Sequence, residues 1–337
     1  ATYKEIFGKQ IKFLSSDPAN ESEGQIWYNS TSGTFKSTLV TEAWSSASSL
    51  ITGRYLSGTF GNQTTGVQVG GQSPPTLANV EEYNGTGWSS GTAFPKAINS
   101  GSGAGTQTAG LIAGGASPSR TSEAWKFNGT AWTAANALPG AMDNMASCGT
   151  ETQSNVIFAV GRTPTSGNAG TNQSVTFDGT NFANGPTHVT TRMFNTTSGA
   201  GTGTAGLIIG GFIDPSPNAM INCEEYNGSS WTASPTLNVA TSFATAFGTQ
   251  TNAVAQVNTP NYQGSEQYNG STWAALPDIG VASPGGLYGG SAGATGNAGW
   301  VSSMAPTFDK VAEWNSTATV ITAATWAAGA TVPTTLR

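Results

Sequence analysis

Short apolar runs separated by small and polar residues fill most of this chain, and one six-residue phrase punctuates them. It reads aromatic, Asn or Asp, Gly, two small residues, aromatic. It stands at 83–88, 127–132, 177–182, 226–231 and 268–273, with a worn copy at Trp314-Asn315-Ser316. The leading aromatics are 42 to 50 residues apart. Asn-Gly between two aromatics predicts a tight type I′ hairpin, whose central residues both need φ > 0. The flanking aromatics then belong to two paired strands. Ahead of each hairpin lies a small-residue stretch followed by an apolar run that often ends in Gly-Gly. Residues 100–115 and 198–211 are near copies, and 61–71, 149–161 and 248–257 are weaker ones. These segments predict two further strands per repeat. The first is small enough for a crowded centre, and the second is an apolar run in which Gly permits close backbone approach.

Four short strands on a period of this size predict an all-β fold, a β-propeller with one phrase per blade. The fourth-strand positions are Trp88, Trp132, Phe182, Trp231 and Trp273, with Val320 as a sixth candidate. Trp44 is an extra one: Leu50 follows it by six residues, as Leu138 follows Trp132 and Leu237 follows Trp231. Residues 41–46 therefore read as a fourth strand that completes a last blade drawn from about residues 286–315. Such closure by both ends of the chain removes open sheet edges. The reading is six blades, with seven as the alternative, and three regions: an N-terminal arm and hairpin (1–40), the propeller (41–320) and a C-terminal tail (321–337).

Composition narrows the partners. Only 9% of the 337 residues are charged, the net charge is −6, and Lys plus Arg total 12. Binding nucleic acid through phosphate contacts calls for a basic surface, so no nucleic-acid partner is expected. No apolar run reaches 18 residues, so no membrane insertion is expected. Lys4, Glu5, Lys9 and Lys12 interrupt any signal-peptide pattern at the start. Cys148 and Cys223 occupy different repeat positions and read as buried free thiols rather than a disulfide.

Candidate chemistry is sparse. His188 is the sole histidine and sits in the loop after Phe182, where it reads as an ordinary loop residue. With one His and two separated Cys, no usual zinc or copper site can be assembled, and no metal or cofactor is expected. Glycoside hydrolysis needs only two carboxylates, for which Asp143, Glu151, Asp214 and Asp278 are candidates. Glu81-Glu82, Glu224-Glu225 and Glu266 recur at one third-strand position, which points to a structural duty in each blade. No catalytic residue is assigned, and the chain is not expected to be an enzyme.

The loops divide into two sets. Turns joining strands one to two and three to four are short and constant, and they open on one side. The connections at 72–79, 116–122, 162–173, 212–222 and 258–264 vary in length, open on the other side, and carry Pro74, Pro118, Pro164, Pro215 and Pro260 among others. Proline-stiffened variable loops on a rigid scaffold are a common home for recognition. Arg120, Arg162, Phe212, Asp214 and Tyr262 are the predicted ligand contacts there.

The order of apolar run, Gly-Gly, loop, aromatic, turn and Trp, with Leu138-Pro139, Leu276-Pro277 and Phe94-Pro95 after it, resembles the kelch repeat over about residues 42–320. Arg54 and Arg192 stand near the kelch arginine position, and the other repeats lack it. Residues 24–36, a strand, a turn and a strand, resemble a short hairpin of tail-fibre and other structural proteins of bacteriophages. Together these resemblances imply a non-enzymatic virion protein located on the particle surface, outside the cell. In this reading it is a tail fibre or appendage, multicopy or homo-oligomeric, joined to other virion proteins through residues 1–40. Its loops would bind a host cell-surface glycan or protein. An architectural capsid decoration or adaptor is the alternative; a carbohydrate-active enzyme or a bacterial adhesin is a further one.

Overall fold

In a computed structural model, residues 12–18, 25–166, 170–194, 198–213, 218–257, 262–280, 289–304 and 307–323 are described. They are all-β, with no α-helix among them. Contacts divide the chain into two units. One comprises residues 1–42 and 317–337, and the other residues 43–316.

In the first unit, β1 (Lys12–Leu14) runs parallel to β2 (Ile26–Asn29), and β2 pairs antiparallel with the start of β3 (Thr34–Ala47). The predicted hairpin at 24–36 is thus present. Asp17 fixes the strand crossing: its Oδ1 accepts from Trp27 Nε1 (3.1 Å) and Asn29 Nδ2 (2.8 Å), and Oδ2 pairs with Lys36 (2.9 Å). Of the predicted N-terminal arm and hairpin at 1–40, residues 1–11 and 19–24 lie outside the described residues, as does most of the predicted tail at 321–337.

The second unit is propeller-like, built of four-stranded antiparallel sheets. β4 (Gly58–Gly61), β5 (Gly66–Val69), β6 (Val80–Tyr83) and β7 (Trp88–Ser90) pair in that order. The same up-and-down order joins β8 (Ser102–Thr106), β9 (Ala109–Ala113), β10 (Ala124–Phe127) and β11 (Trp132–Ala134). It recurs in β12 (Ala146–Cys148), β13 (Val156–Ala159), β14 (Ser174–Phe177) and β15 (Phe182–Asn184). In the fourth sheet, β16 (Gly199–Thr202) and β17 (Ala205–Ile209) are followed by a small ribbon, β18 (Phe212–Ile213) with β19 (Asn218–Ala219), before β20 (Cys223–Tyr226) and β21 (Trp231–Ser234). The fifth has β22 (Thr245–Thr249), β23 (Asn252–Gln256), β24 (Ser265–Tyr268) and β25 (Trp273–Leu276). Last come β26 (Ser291–Thr295), β27 (Ala298–Met304) and β28 (Lys310–Ala323), and β28 pairs with β3.

The early strand β3 therefore fills the fourth position of the last sheet, as the spare Trp44 predicts. Trp44 packs against Trp314 with the rings tilted (centroids 5.5 Å, 47° between planes) and donates from Nε1 to Ser265 Oγ (2.9 Å). Val320 is not a fourth-strand residue. Ser316 replaces the glycine that the other copies use to turn, and β28 runs straight on through it.

Residue size follows position in the sheet. First strands are mostly Gly, Ala, Ser and Thr, with Phe60, Cys148 and Phe247 as the exceptions, because each lies against its neighbour's first strand. Contacts link β4 to β8, β8 to β12, β12 to β16, β16 to β22, β22 to β26, and β26 back to β4. A Cβ placed on Gly103 would stand 2.2 Å from the Thr59 carbonyl oxygen, so only glycine fits. Second strands such as Val156–Ala159 are buried at every position. Both faces are covered, and this explains continuous apolar runs in place of alternation. The apolar clusters lie between successive sheets. Leu111, Met145, Phe158 and Phe177 pack between the second and third. Tyr83, Trp88, Ala292 and Trp300 do the same between the first and the last.

The hairpins differ from the expected two-residue turn. Tyr83 pairs with Trp88, leaving a four-residue loop, and only Gly85 has positive φ (+87°). Asn84 instead stays at the foot of the loop and accepts from the backbone N–H of Thr86 (3.0 Å) and Gly87 (2.9 Å) through Oδ1. Asn128, Asp178, Asn227 and Asn269 repeat this. An Asx side chain that can mimic a backbone turn is what the position requires, and Asp serves as well as Asn.

Candidate functional site

The variable connections are stitched together. Four second-to-third-strand loops bridge the segments entering their own first strands: Tyr55 with Gln72, Asn99 with Ala116, Asp143 with Arg162, and Met193 with Phe212. Further bridges join a loop to the next repeat, Thr121 to Met142, Thr171 to Arg192, and Met220 to Thr241. Backbone hydrogen bonds thus tie these four loops to the segments that enter the first strands, within a repeat and, for three of them, in the next repeat.

Among the predicted contact residues, Arg120 and Arg162 meet at a common partner that sequence reading placed elsewhere. Arg120 Nε donates to Asp143 Oδ1 (3.0 Å). Arg162 donates from Nε to Oδ1 (2.9 Å) and from Nη2 to Oδ2 (2.6 Å). Asp143 is 2% exposed, whereas the two arginine side chains are 23% and 24% exposed. A cleft of about 500 Å³ opens over this trio, walled by Ala116, Pro118, Ser119 and Pro164. Phe212 is half-buried and packs on Phe243 (4.5 Å). Tyr262 turns the backbone at φ +54° while its carbonyl accepts from Gln256 Nε2 (2.9 Å). Asp214 lies outside the described residues. The site is therefore two arginines and one aspartate, and the aspartate was legible only as one carboxylate among several. Nothing in the spacing of 120, 143 and 162 announces their meeting.

The other candidate carboxylates are spread out. Glu151 lies in the turn at the far end of β12 from Asp143 and accepts from Asn62 Nδ2 (3.1 Å), and Asp278 is exposed. Among the described residues no cluster of three or more His, Cys, Asp or Glu side chains is arranged to hold a metal ion.

The repeated glutamates have the structural duty expected of them. Glu81 accepts from the backbone N–H of Ile51 and Thr52, Glu224 from Val189 and Thr190, and Glu266 from Asn238 and Val239. Each thereby ties down the chain that leaves the preceding fourth strand. Two of them also carry a buried ion pair, Arg54 with Glu81 and Arg192 with Glu224 (2.8 Å), and both guanidinium groups are fully buried. Burial pulls both arginines below their usual range, and the paired glutamate works against that shift.

His188 is no ordinary loop residue, being 1% exposed. It lies edge-on to Phe194 (5.6 Å), the ring over which Arg192 also sits (5.1 Å). Burial, with Arg192 beside it, drives its pKa down to about 3, so the ring is neutral near pH 7. Both cysteines are buried free thiols, and burial pushes each up to about 12. A small central cavity of about 50 Å³ is lined by first-strand residues, among them Thr59, Gly103, Ser147, Gly199, Ala246 and Ser291. It has room for a few water molecules.

Comparison of the chain with protein-family models and with curated proteins finds no match in either.

Proposed function

We propose that this chain is a six-bladed, kelch-like propeller that serves as a non-enzymatic binding scaffold on a bacteriophage particle, displaying its variable loops to the host surface. The six-blade reading is supported by the cycle of first-strand contacts that returns from β26 to β4. Thr59 Oγ1 strengthens that return by bonding the backbone of Ser291. Kelch character rests on the repeat order and on Arg54 and Arg192. The phage assignment rests on the resemblance of residues 24–36.

The observation that carries the binding role is the stitched loop face. Loops held by backbone bridges lose little entropy when a ligand arrives, which favours recognition. One cleft of about 500 Å³ would bind a small surface group weakly, so useful attachment would come from many copies acting together. The chain would join other virion proteins through residues 1–40.

Cryo-electron microscopy of the native assembly tests this reading. The expected map has residues 1–40 buried against other particle proteins and the loop face outward. A map with the loop face packed between subunits would make the protein architectural. Shortening the connections at 162–173 and 212–222 should also abolish host attachment; undiminished attachment would remove this face from receptor binding.

A further inference from the structure

Asp143 is one buried carboxylate facing two guanidinium groups, and the charge does not balance. Arg162 takes both carboxylate oxygens, the two-pronged geometry in which guanidinium and carboxylate fit best. Arg120 reaches the same Oδ1 through Nε alone. Its two terminal nitrogens have no partner among the described residues, nor does Nη1 of Arg162. The trio carries a net charge of about +1, at the wall of a cleft of about 500 Å³, on a chain whose net charge is −6. The second arginine is not needed to neutralise Asp143. What it adds is an anchored, partly exposed fork of donors.

We propose that this cleft binds the anionic group of an acidic sugar, a carboxylate or a sulfate ester, on the free terminal nitrogens of Arg120 with help from Arg162 Nη1. This deepens the host-binding role argued above and depends on it. A planar guanidinium fork matches two oxygens of a carboxylate or a sulfate ester better than an ammonium would. The volume suits one or two sugar rings. Ala116, Pro118, Ser119 and Pro164 form the rest of the wall, with no large apolar side chain to receive the hydrophobic anchor of a peptide. Pro118 and Pro164 stiffen the two loops that carry the arginines, so the fork is held in place before the ligand comes.

Saturation-transfer NMR on the full chain with three matched probes tests the proposal: D-glucuronate, D-glucose 6-sulfate and D-glucose. The two anionic sugars should give signal and glucose should give none. Arg120→Gln should weaken the anionic sugars at least fivefold, and 0.5 M salt should do the same to the native chain. Asp143 keeps Arg162 in that variant, so the thermal midpoint should stay unchanged and report an intact fold. Equal signal from glucose, no signal from the anionic sugars, or full binding by Arg120→Gln would overturn the proposal. So would capture of an acidic hexapeptide in preference to the sugars. Particle imaging separates the two levels. An outward loop face without acid-sugar binding sinks only this inference, whereas acid-sugar binding on a buried loop face sinks the attachment role.

Discussion

The buried ions are where single residues matter most. Removing one partner of a buried pair leaves the other charge uncompensated, at a cost of about 3–5 kcal/mol. Arg192→Met strands Glu224 in this way and should lower the urea midpoint strongly. Lys36→Met breaks the partly exposed pair with Asp17 and should cost under about 1 kcal/mol. Comparable losses in the two variants would show that Arg192 is not the buried anchor described. His188 adds a pH dependence. Its ordinary value is 6.5 and its folded value about 3. Below about pH 6.5 the unfolded chain takes up a proton that the folded chain refuses until about pH 3, so stability falls as pH drops through that window. Above it His188 contributes no slope. Denaturation midpoints from pH 7.5 to 4 should show the decline, and His188→Leu should flatten it. An equal decline in both proteins would assign the acid sensitivity to other groups.

At the level of strands and turns, glycine decides how closely sheets approach. Gly103→Val puts side-chain atoms against the Thr59 backbone and should destabilise by at least ~1–3 kcal/mol. Gly87→Ala meets nothing within 4 Å and should shift the midpoint negligibly. In the hairpins, Asn84→Asp should be tolerated because Asp178 does the same work, whereas Asn84→Ala should cost about 1 kcal/mol by stranding two N–H groups. Matching thermal shifts for Asp and Ala would refute the side-chain cap. Sequence reading located these elements because strands with both faces covered leave long apolar runs, and because Asn-Gly phrases keep their spacing. It missed the turn type, since the same dipeptide suits a two-residue turn and a side-chain-capped loop. Sequence reading assigned nothing to Gln63, Gln107, Gln153 and Gln250. Each bonds carbonyls of the preceding sheet: Gln107 to Gly66 and Tyr83, Gln153 to Gly110 and Phe127, Gln250 to Gly206 and Tyr226, Gln63 to Trp314. That clasp is tertiary, and a repeat read one copy at a time hides its partner. The Arg120–Asp143–Arg162 meeting was hidden for the same reason, as its members come from two repeats.

Across the second unit, six apolar clusters, lying between successive sheets, share the burden of stability among the described residues. The weak point is then the sheet assembled from distant parts of the sequence. Deleting residues 1–47 leaves the 14-residue β28 paired with β27 alone and exposes the Trp314 ring that Trp44 covers. An open edge of that length invites pairing with another chain. Light scattering after size exclusion should show self-association together with a lowered thermal midpoint. A monomer of unchanged stability would mean that the last sheet needs no contribution from β3.

The partnership of β3 with β28 also governs how the protein emerges from the ribosome. β3 leaves the exit tunnel well before β28, which is made only after everything between Ala47 and Lys310 has been translated. At usual elongation speeds that interval is roughly 10–50 s, far longer than a small sheet needs to form. Most of the intervening sheets can form during translation, while the final seam must wait for the last strand. The nascent chain thus spends its synthesis with one strand unspent, and a permuted gene encoding β3 after β28 would remove the wait.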